Sequence, residues 1–313
     1  MLVTELYDGQ GLGNQLWCYA VTRCIAKTRG YTFGIVGKEK FKGKGFLDID
    51  FGQEVKGRAN PEPDKNAPLP NDIFNYYAEK LVRHPITSLD ISKPDLKLQN
   101  ICDNSKIDGG MQSVSYINPF KSELRIWIKE KTDRMIKWPK DEDVCIVHVR
   151  GGDFLASSAL LGRDYYQRGV SYMLNRNKNM KFFLITDDLD YARVVCPNIP
   201  LVGGSSFSNG DPYKAQHHKG GEVWIDWSIL RHAKNAIISA SSFSFWPTWL
   251  NEDVLVTAPM FWAAHKQSDG YWSTGDILVD GWNYIHRDGT VYTSQQCREM
   301  KSKYENQNQR MWE

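Results

Sequence analysis

The feature that most limits how this chain can fold is an alternation of short aliphatic runs with helical stripes, met twice along its length. Residues 2–6 read as a strand, and a tight glycine turn at Gly9, Gly11 and Gly13 follows. Residues 14–28 then read as a helix, because Leu16, Ala20 and Cys24 recur at i, i+4 and i+8, with Val21 and Ile25 widening the stripe. Gly30 is a natural stop, and residues 31–36 form the next strand, which completes a β-α-β opening. The pattern resumes with the run Val144-Cys145-Ile146-Val147-His148-Val149. A helix over 165–174 follows, then a buried strand over 181–186 that ends at Asp187-Asp188, and a short strand at Leu201-Val202. A helix over 222–234, a strand over 235–239, a short helix over 243–250 and a last strand over 254–257 close the series. Strands alternating with helices predict a parallel, doubly wound sheet in each half.

At roughly 150 residues per domain, 313 residues predict two domains. The polar, proline-led stretch Pro139-Lys140-Asp141-Glu142-Asp143 is the best boundary, giving 1–140 and 141–313. Residues 37–72 lack periodicity and hold a lysine-rich run at 38–44 and prolines at 61, 63, 68 and 70, so they read as loop. The lysines read as a solvated charge run or as a docking feature for an acceptor. A helix is expected within 117–138, with Leu124, Ile128 and Met135 among its apolar positions, and the polar stretch from Lys301 is expected to fray or to pack late.

Lys+Arg 39 against Asp+Glu 37 leaves a net charge of +2, too balanced for a chain whose main partner is nucleic acid. No apolar run reaches 18 residues, the length of a membrane span, and the first residues lack the basic start and apolar stretch of a secretory signal. Cys18, Cys24, Cys102, Cys145, Cys196 and Cys297 form no C-x-x-C pair, which favours buried free thiols over a disulfide framework or a zinc site. A cytoplasmic location is the expectation, with membrane-surface association left open. The 11 Trp and 15 Tyr can line a sugar site, although most are expected to pack.

Ligands in open α/β sheets sit outside the carboxyl ends of strands, so the polar residues just after each strand carry the functional reading. Gly9-Gln10-Gly11-Leu12-Gly13-Asn14-Gln15 lets backbone approach a ligand beside a helix N-terminus; the plain alternative is a tight turn in which Asn14 caps the helix. His148-Val149-Arg150-Gly151-Gly152-Asp153 brings a planar, always charged fork out of a buried strand, with glycines clearing space beside it. Asp153 either orients Arg150 or acts at a reacting hydroxyl; a structural ion pair is the alternative. Asp226, flanked by apolar residues, can accept two hydrogen bonds from a guanine edge or serve as an ordinary helix charge. Ser239-Ala240-Ser241-Ser242-Phe243-Ser244 offers hydroxyls and N–H groups to a diphosphate, or simply caps a helix.

Taken together, the chain resembles the alpha-1,2-fucosyltransferases of glycosyltransferase family 11 and, more widely, the fucosyltransferase superfamily with its protein O-fucosyltransferases. The matching stretches are Gly11-Leu12-Gly13-Asn14-Gln15-Leu16-Trp17, Val147-His148-Val149-Arg150-Gly151-Gly152-Asp153-Phe154, Phe182-Phe183-Leu184-Ile185-Thr186-Asp187-Asp188, Ile225-Asp226-Trp227 and Ser241-Ser242-Phe243-Ser244-Phe245-Trp246, in the family's order. The resemblance implies a GT-B type α/β fold: two facing Rossmann-like domains with an inter-domain cleft, the second holding the donor and the first on the acceptor side. It implies GDP-fucose as donor, inversion at the anomeric carbon, a glycan hydroxyl such as the 2-OH of galactose as acceptor, and no obligatory metal or other cofactor.

Carried over residue by residue, Arg150 holds the β-phosphate, Asp226 reads guanine, and Ser241, Ser242 and Phe243 form the phosphate-binding turn. His148 lines the nucleotide site. Gly13 and Asn14 belong to the first-domain loop that faces the donor. Arg150, Asn14 and Asp153 are the catalytic candidates, Asp153 as the base. The family pattern H-x-R-R-G-D carries two arginines, and here the second position is Gly151, as in the single-arginine pattern of protein O-fucosyltransferases. Two other readings stay open: a transferase of another GDP-sugar, and a catalytically silent module that binds a glycan or nucleotide.

Overall fold

A computed structural model describes residues 1–55, 73, 75–91, 93–136, 141–202 and 223–309. The proline cluster at 61–70, the boundary residues Pro139 and Lys140 and the loop over 203–221 lie outside the described residues. The chain divides into two compact units, Met1–Lys129 with Thr274–Ile277, and Glu130–Ser273 with Leu278–Glu313. This division falls earlier than the expected boundary, for a local reason. Glu130 Oε2 meets His232 Nε2 at 2.7 Å, the Ile136 N–H donates to Ser228 Oγ at 2.9 Å, and Arg134 stacks 5.4 Å from the Trp224 ring centre. Those contacts tie the segment after 129 to the second unit. Residues 274–277 return to the first unit because Asp276 accepts from Ser113 Oγ and the Ser115 N–H, while its carbonyl accepts the Val114 N–H.

The first unit opens with β1 (Leu2–Glu5), α1 (Leu12–Arg29) and β2 (Phe33–Val36), the expected β-α-β. Gly30 ends α1 with φ +71°, a left-handed stop that glycine adopts without a Cβ penalty. Next come β3 (Leu47–Asp48), β4 (Asn75–Ala78), β5 (Val82–Arg83), β6 (Asp90–Ile91), α2 (Leu96–Gln99) and β7 (Ser105–Asp108). The sheet runs β2-β1-β7-β4, all parallel. Its strands β4 and β7 were not expected, because Lys106 and Asp108 break any apolar alternation. Lys106 is buried and donates to Glu5 Oε2 at 2.6 Å on the neighbouring strand.

Within 117–138, where a helix was expected, the chain makes α4 (Lys121–Trp127), which holds Leu124 but ends before Ile128 and Met135; it is preceded by α3 (Val114–Ile117) and a 3-10 turn carrying Pro119. Proline removes an N–H donor and restricts the residue before it, so one continuous helix cannot pass position 119. Strand β8 (Lys129–Glu130) follows.

The second unit holds β9 (Val144–Val149), α5 (Arg163–Arg176), β10 (Lys181–Thr186), α6 (Leu189–Val195), α7 (Val223–His232), β11 (Asn235–Ile237), α8 (Ser242–Leu250), β12 (Leu255–Pro259), β13 (Asn283–Ile285), β14 (Val291–Thr293) and α9 (Ser294–Gln307). The sheet order is β10-β9-β11-β12-β13-β14, parallel through β13 and antiparallel at β14. Leu201 adds a single parallel bridge to Leu184 on the outer side of β10, in place of the short strand expected there. Counted from β9, the spatial order is therefore 3-2-1-4-5-6, the Rossmann arrangement, and it reverses direction between β9 and β11.

Every residue of β9 is buried, and alternate side chains face opposite layers. Cys145, Val147 and Val149 pack with Tyr165, Tyr166 and Met173 of α5 and with Ala192 and Val195 of α6. Val144 and Ile146 pack with Ile229 and Leu230 of α7. Helix α5 sits close because Gly169 faces Ile237: a Cβ there would lie 3.0 Å from the isoleucine. The aromatic residues of α8 are core, with Phe245 stacked on Trp249 at 6.2 Å and Trp246 fully buried. The polar stretch from Lys301 continues α9, which starts at a capping box of Thr293 and Gln296 and runs to Gln307. The α/β class expected of a GT-B type chain, with two Rossmann-like units, is what the structure shows. Cys102 is exposed, the other cysteines are buried, and all six are free. Among the described residues no helix is long and apolar enough to cross a membrane.

Candidate active site

The order reversal in the second unit puts a natural ligand position at the carboxyl ends of β9 and β11. Strand β9 delivers His148 and Arg150 there, β11 leads to Ser239, and α8 begins at Ser242. His148 is buried, and its Nδ1 lies 2.7 Å from Ser239 Oγ. Its ring centre is 5.8 Å from that of Phe243. Burial, helped by the charge of Arg150, pushes the imidazole pKa down to about 3. His148 is thus neutral at physiological pH and acts as a fixed hydrogen-bonding group, not as a proton carrier.

Arg150 leaves the strand with a guanidinium that is about a quarter exposed, held between two carboxylates. Nη2 donates to Asp153 Oδ1 at 2.6 Å and Nη1 lies 2.8 Å from Asp187 Oδ2. The Nε atom is buried with no hydrogen-bond partner among the described residues. Phe154 lies under the guanidinium, 5.1 Å from ring centre to Cζ. Asp153 is therefore in contact with Arg150, an ion pair that an orienting role and a purely structural one share.

The turn behind Arg150 is locked by two consecutive aspartates at the end of β10. The Gly151 N–H donates to Asp187 Oδ1 and the Gly152 N–H to Asp188 Oδ2, each at 2.9 Å. The other oxygen of Asp188 accepts the Tyr191 N–H at 3.0 Å and caps α6. Burial raises the Asp187 carboxyl above the usual range, against the pull of Arg150 and the Gly151 N–H. A Cβ at Gly151 would lie 2.5 Å from Asp188 Cβ and 2.7 Å from its Oδ2. A side chain at position 151 therefore meets Asp188. Gly152 has φ +47°, a backbone that favours glycine. Asp187 and Asp188 had no role from sequence, although they were legible as a strand exit; Ser239 was read only as part of the serine run, not as the partner of His148.

Ser241 is the N-cap of α8, accepting the Phe243 N–H on its hydroxyl at 3.3 Å, and its carbonyl accepts Ser244 Oγ at 3.1 Å. Capping is thus one use of this serine turn. Asp226 is buried in the first turn of α7, and the adjacent Trp227 meets Phe243 edge-on at 6.4 Å. Gly13 and Asn14 belong to the first unit. Asn14 does not cap α1, whose N-cap is Gly11; its Oδ1 accepts from Gln112 Nε2 at 3.1 Å. Among the described residues no group of three or more His, Cys, Asp or Glu is placed to hold a metal ion.

Two Escherichia coli proteins are similar in sequence. An alpha-1,2-colitosyltransferase is 29% identical over 133 residues, 40% of this chain and 43% of that protein. The O-antigen biosynthesis glycosyltransferase WbnK is 27% identical over 145 residues, 44% of this chain and 42% of that protein. The chain thus matches under half the length of these curated relatives. Among solved structures, the fucosyltransferase NodZ from Bradyrhizobium overlays with a TM-score of 0.41 at 14% identity, covering 93% of this chain and 98% of NodZ. The model of "Glycosyl transferase family 11" matches residues 107–286, more than half of the chain and the whole of the Arg150 turn and serine cap. The chain is a member of glycosyl transferase family 11.

Proposed function

We propose that this glycosyltransferase moves L-fucose from GDP-fucose to a hydroxyl of a glycan acceptor, the 2-OH of galactose, with inversion at the anomeric carbon. The observation that carries the reading is the position of Arg150: an always charged fork at the carboxyl end of β9, the strand at the order reversal whose neighbour β11 leads into α8. That is where an α/β sheet binds a nucleotide, and a helix N-terminus favours an anion. The buried Nε–H without a partner is a further donor at this point.

The chemistry follows from charge. As the glycosyl bond to the donor lengthens, negative charge grows on the departing β-phosphate and positive charge on the sugar ring. The guanidinium of Arg150 and the oriented N–H groups at the start of α8 stabilise that leaving group. They are fixed before reaction, so no reorganisation is needed as the charge appears. Ser241 orders the first turn of α8 by capping it, and neutral His148 braces β9 against Ser239. In this reading Asp226 accepts the guanine edge, Ser242 and Phe243 line the diphosphate, and Gly13 with Asn14 serves the acceptor side. The reaction needs no metal in this account, because the cation role falls to Arg150.

Colitosyl transfer by one relative favours a second reading, in which the same site takes another GDP-sugar. A panel of GDP-, UDP- and dTDP-sugars, read by nucleotide release and calorimetry, separates these readings. The proposal expects release of GDP from GDP-fucose in the presence of a galactoside. Preference for a uridine donor overturns the role given to Asp226, and binding without any turnover returns the chain to a silent module.

A further inference from the structure

We infer that Asp187 is a positioning residue that sets the direction of Arg150, and that Asp153 is an exchangeable partner which the donor's phosphate displaces. The inference rests on the phosphate reading of Arg150.

The two carboxylates on the guanidinium are not equivalent. Asp187 follows the last residue of β10, whose Thr186 pairs with Val149 on β9, so it is carried by the sheet itself. Its side chain is 27% exposed, and it grips two successive residues: Oδ2 takes Arg150 Nη1 and Oδ1 takes the Gly151 N–H. Asp188 repeats the grip one residue on, through Gly152. Backbone and side chain of the turn are thus held by carboxylates that have their own support.

Asp153 differs in each respect. Its side chain is 70% exposed, it sits on the 3-10 turn Gly152–Phe154, and its one side-chain contact among the described residues is Arg150 Nη2. Exposed ion pairs are weak, because water competes for both partners. A phosphate carries more charge than a carboxylate and matches the fork geometry of arginine, so it takes Nη2 from Asp153. The pull of Asp187 on Nη1 then keeps the fork facing the same way while its partner changes.

The test is calorimetric titration of the full chain with GDP and with GMP, which lacks the β-phosphate, alongside thermal melts. For Arg150→Ala the preference for GDP over GMP should fall to near unity; an unchanged preference overturns the phosphate reading and this inference with it. If Arg150 passes, Asp187→Asn should weaken GDP by roughly tenfold or more, the value of one charge-assisted bond, with GMP nearly unaffected. GDP binding that is unchanged or tighter in that variant means Asp187 only neutralises charge, and overturns the positioning role alone. Asp187→Glu, which keeps the charge but moves it, should also lose GDP preference, and it serves if the asparagine variant does not fold. Asp153→Asn, at an exposed position, should tighten GDP a few-fold by removing the competitor. Weaker GDP binding there shows Asp153 to be permanent scaffold and refutes its displacement.

Discussion

Substituting Gly151 by alanine tests the packing of the turn that carries Arg150. The new Cβ would lie 2.5 Å from Asp188 Cβ, 2.7 Å from Oδ2 and 2.8 Å from Cγ, all closer than real contacts allow. Asp188 has to move, and its side chain holds both the cap on Tyr191 and the Gly152 N–H. Losing the cap costs about 1 kcal/mol and losing the charge-assisted bond about 1.5 kcal/mol, so the variant should be destabilised by roughly 2–3 kcal/mol. For a unit of this size that is a fall in melting temperature of roughly 5–10 °C. Removing the obstructing side chain with Asp188→Gly costs the same two bonds. The double variant Gly151→Ala/Asp188→Gly should then be no less stable than Asp188→Gly alone, a coupling of about 2 kcal/mol between touching sites. Differential scanning calorimetry of the four proteins measures this. Simple additivity, or an alanine variant that melts with the wild type, would refute the claim that Asp188 excludes a side chain at 151.

Acid should destabilise the second unit through His148 and His265, whose folded pKa values are lowered by burial to about 3 and about 4. The unfolded chain takes up protons first, near pH 6.5, so stability is full above that pH and falls as pH drops towards the folded values; at pH 5 each histidine costs about 2 kcal/mol. Urea melts at pH 7 and pH 5 check this, and His148→Gln should lose its share of the slope. In the first unit, Lys106→Met strands the buried Glu5 carboxylate. It should cost about 3–5 kcal/mol, with recovery in Glu5→Gln/Lys106→Met, and a single variant as stable as wild type would contradict it. Ser241→Ala removes the cap of α8, and should cost about 1 kcal/mol in melts and weaken GDP in the same calorimeter.

Strands β9 and β10 were legible to the residue because each is an unbroken run of residues suited to a buried parallel sheet. Arg150 and the serine turn were legible because glycine and serine punctuate the strand exits. What stayed hidden depends on pairing across the sheet. Lys106 looks like a solvent residue until β7 is set beside β1, where Glu5 meets it. Asp187 gains its partner because β10 lies parallel to β9, and no spacing along the chain encodes that neighbour. Helix α9 buries only Ser294 and Cys297, so it has no apolar stripe to read; its signal was the Thr293–Gln296 capping pair. The helix expected within 117–138 is there as α4, but it ends at Trp127, short of the apolar Ile128 and Met135 counted as its positions.

The most direct test is the rate of fucosyl transfer from GDP-fucose by Arg150→Ala, on protein whose melting curve matches wild type. Loss of one preorganised contact to the departing charge should lower turnover by about 10²–10³. Transfer at the wild-type rate would contradict the account, since the anion would then be stabilised by some other group.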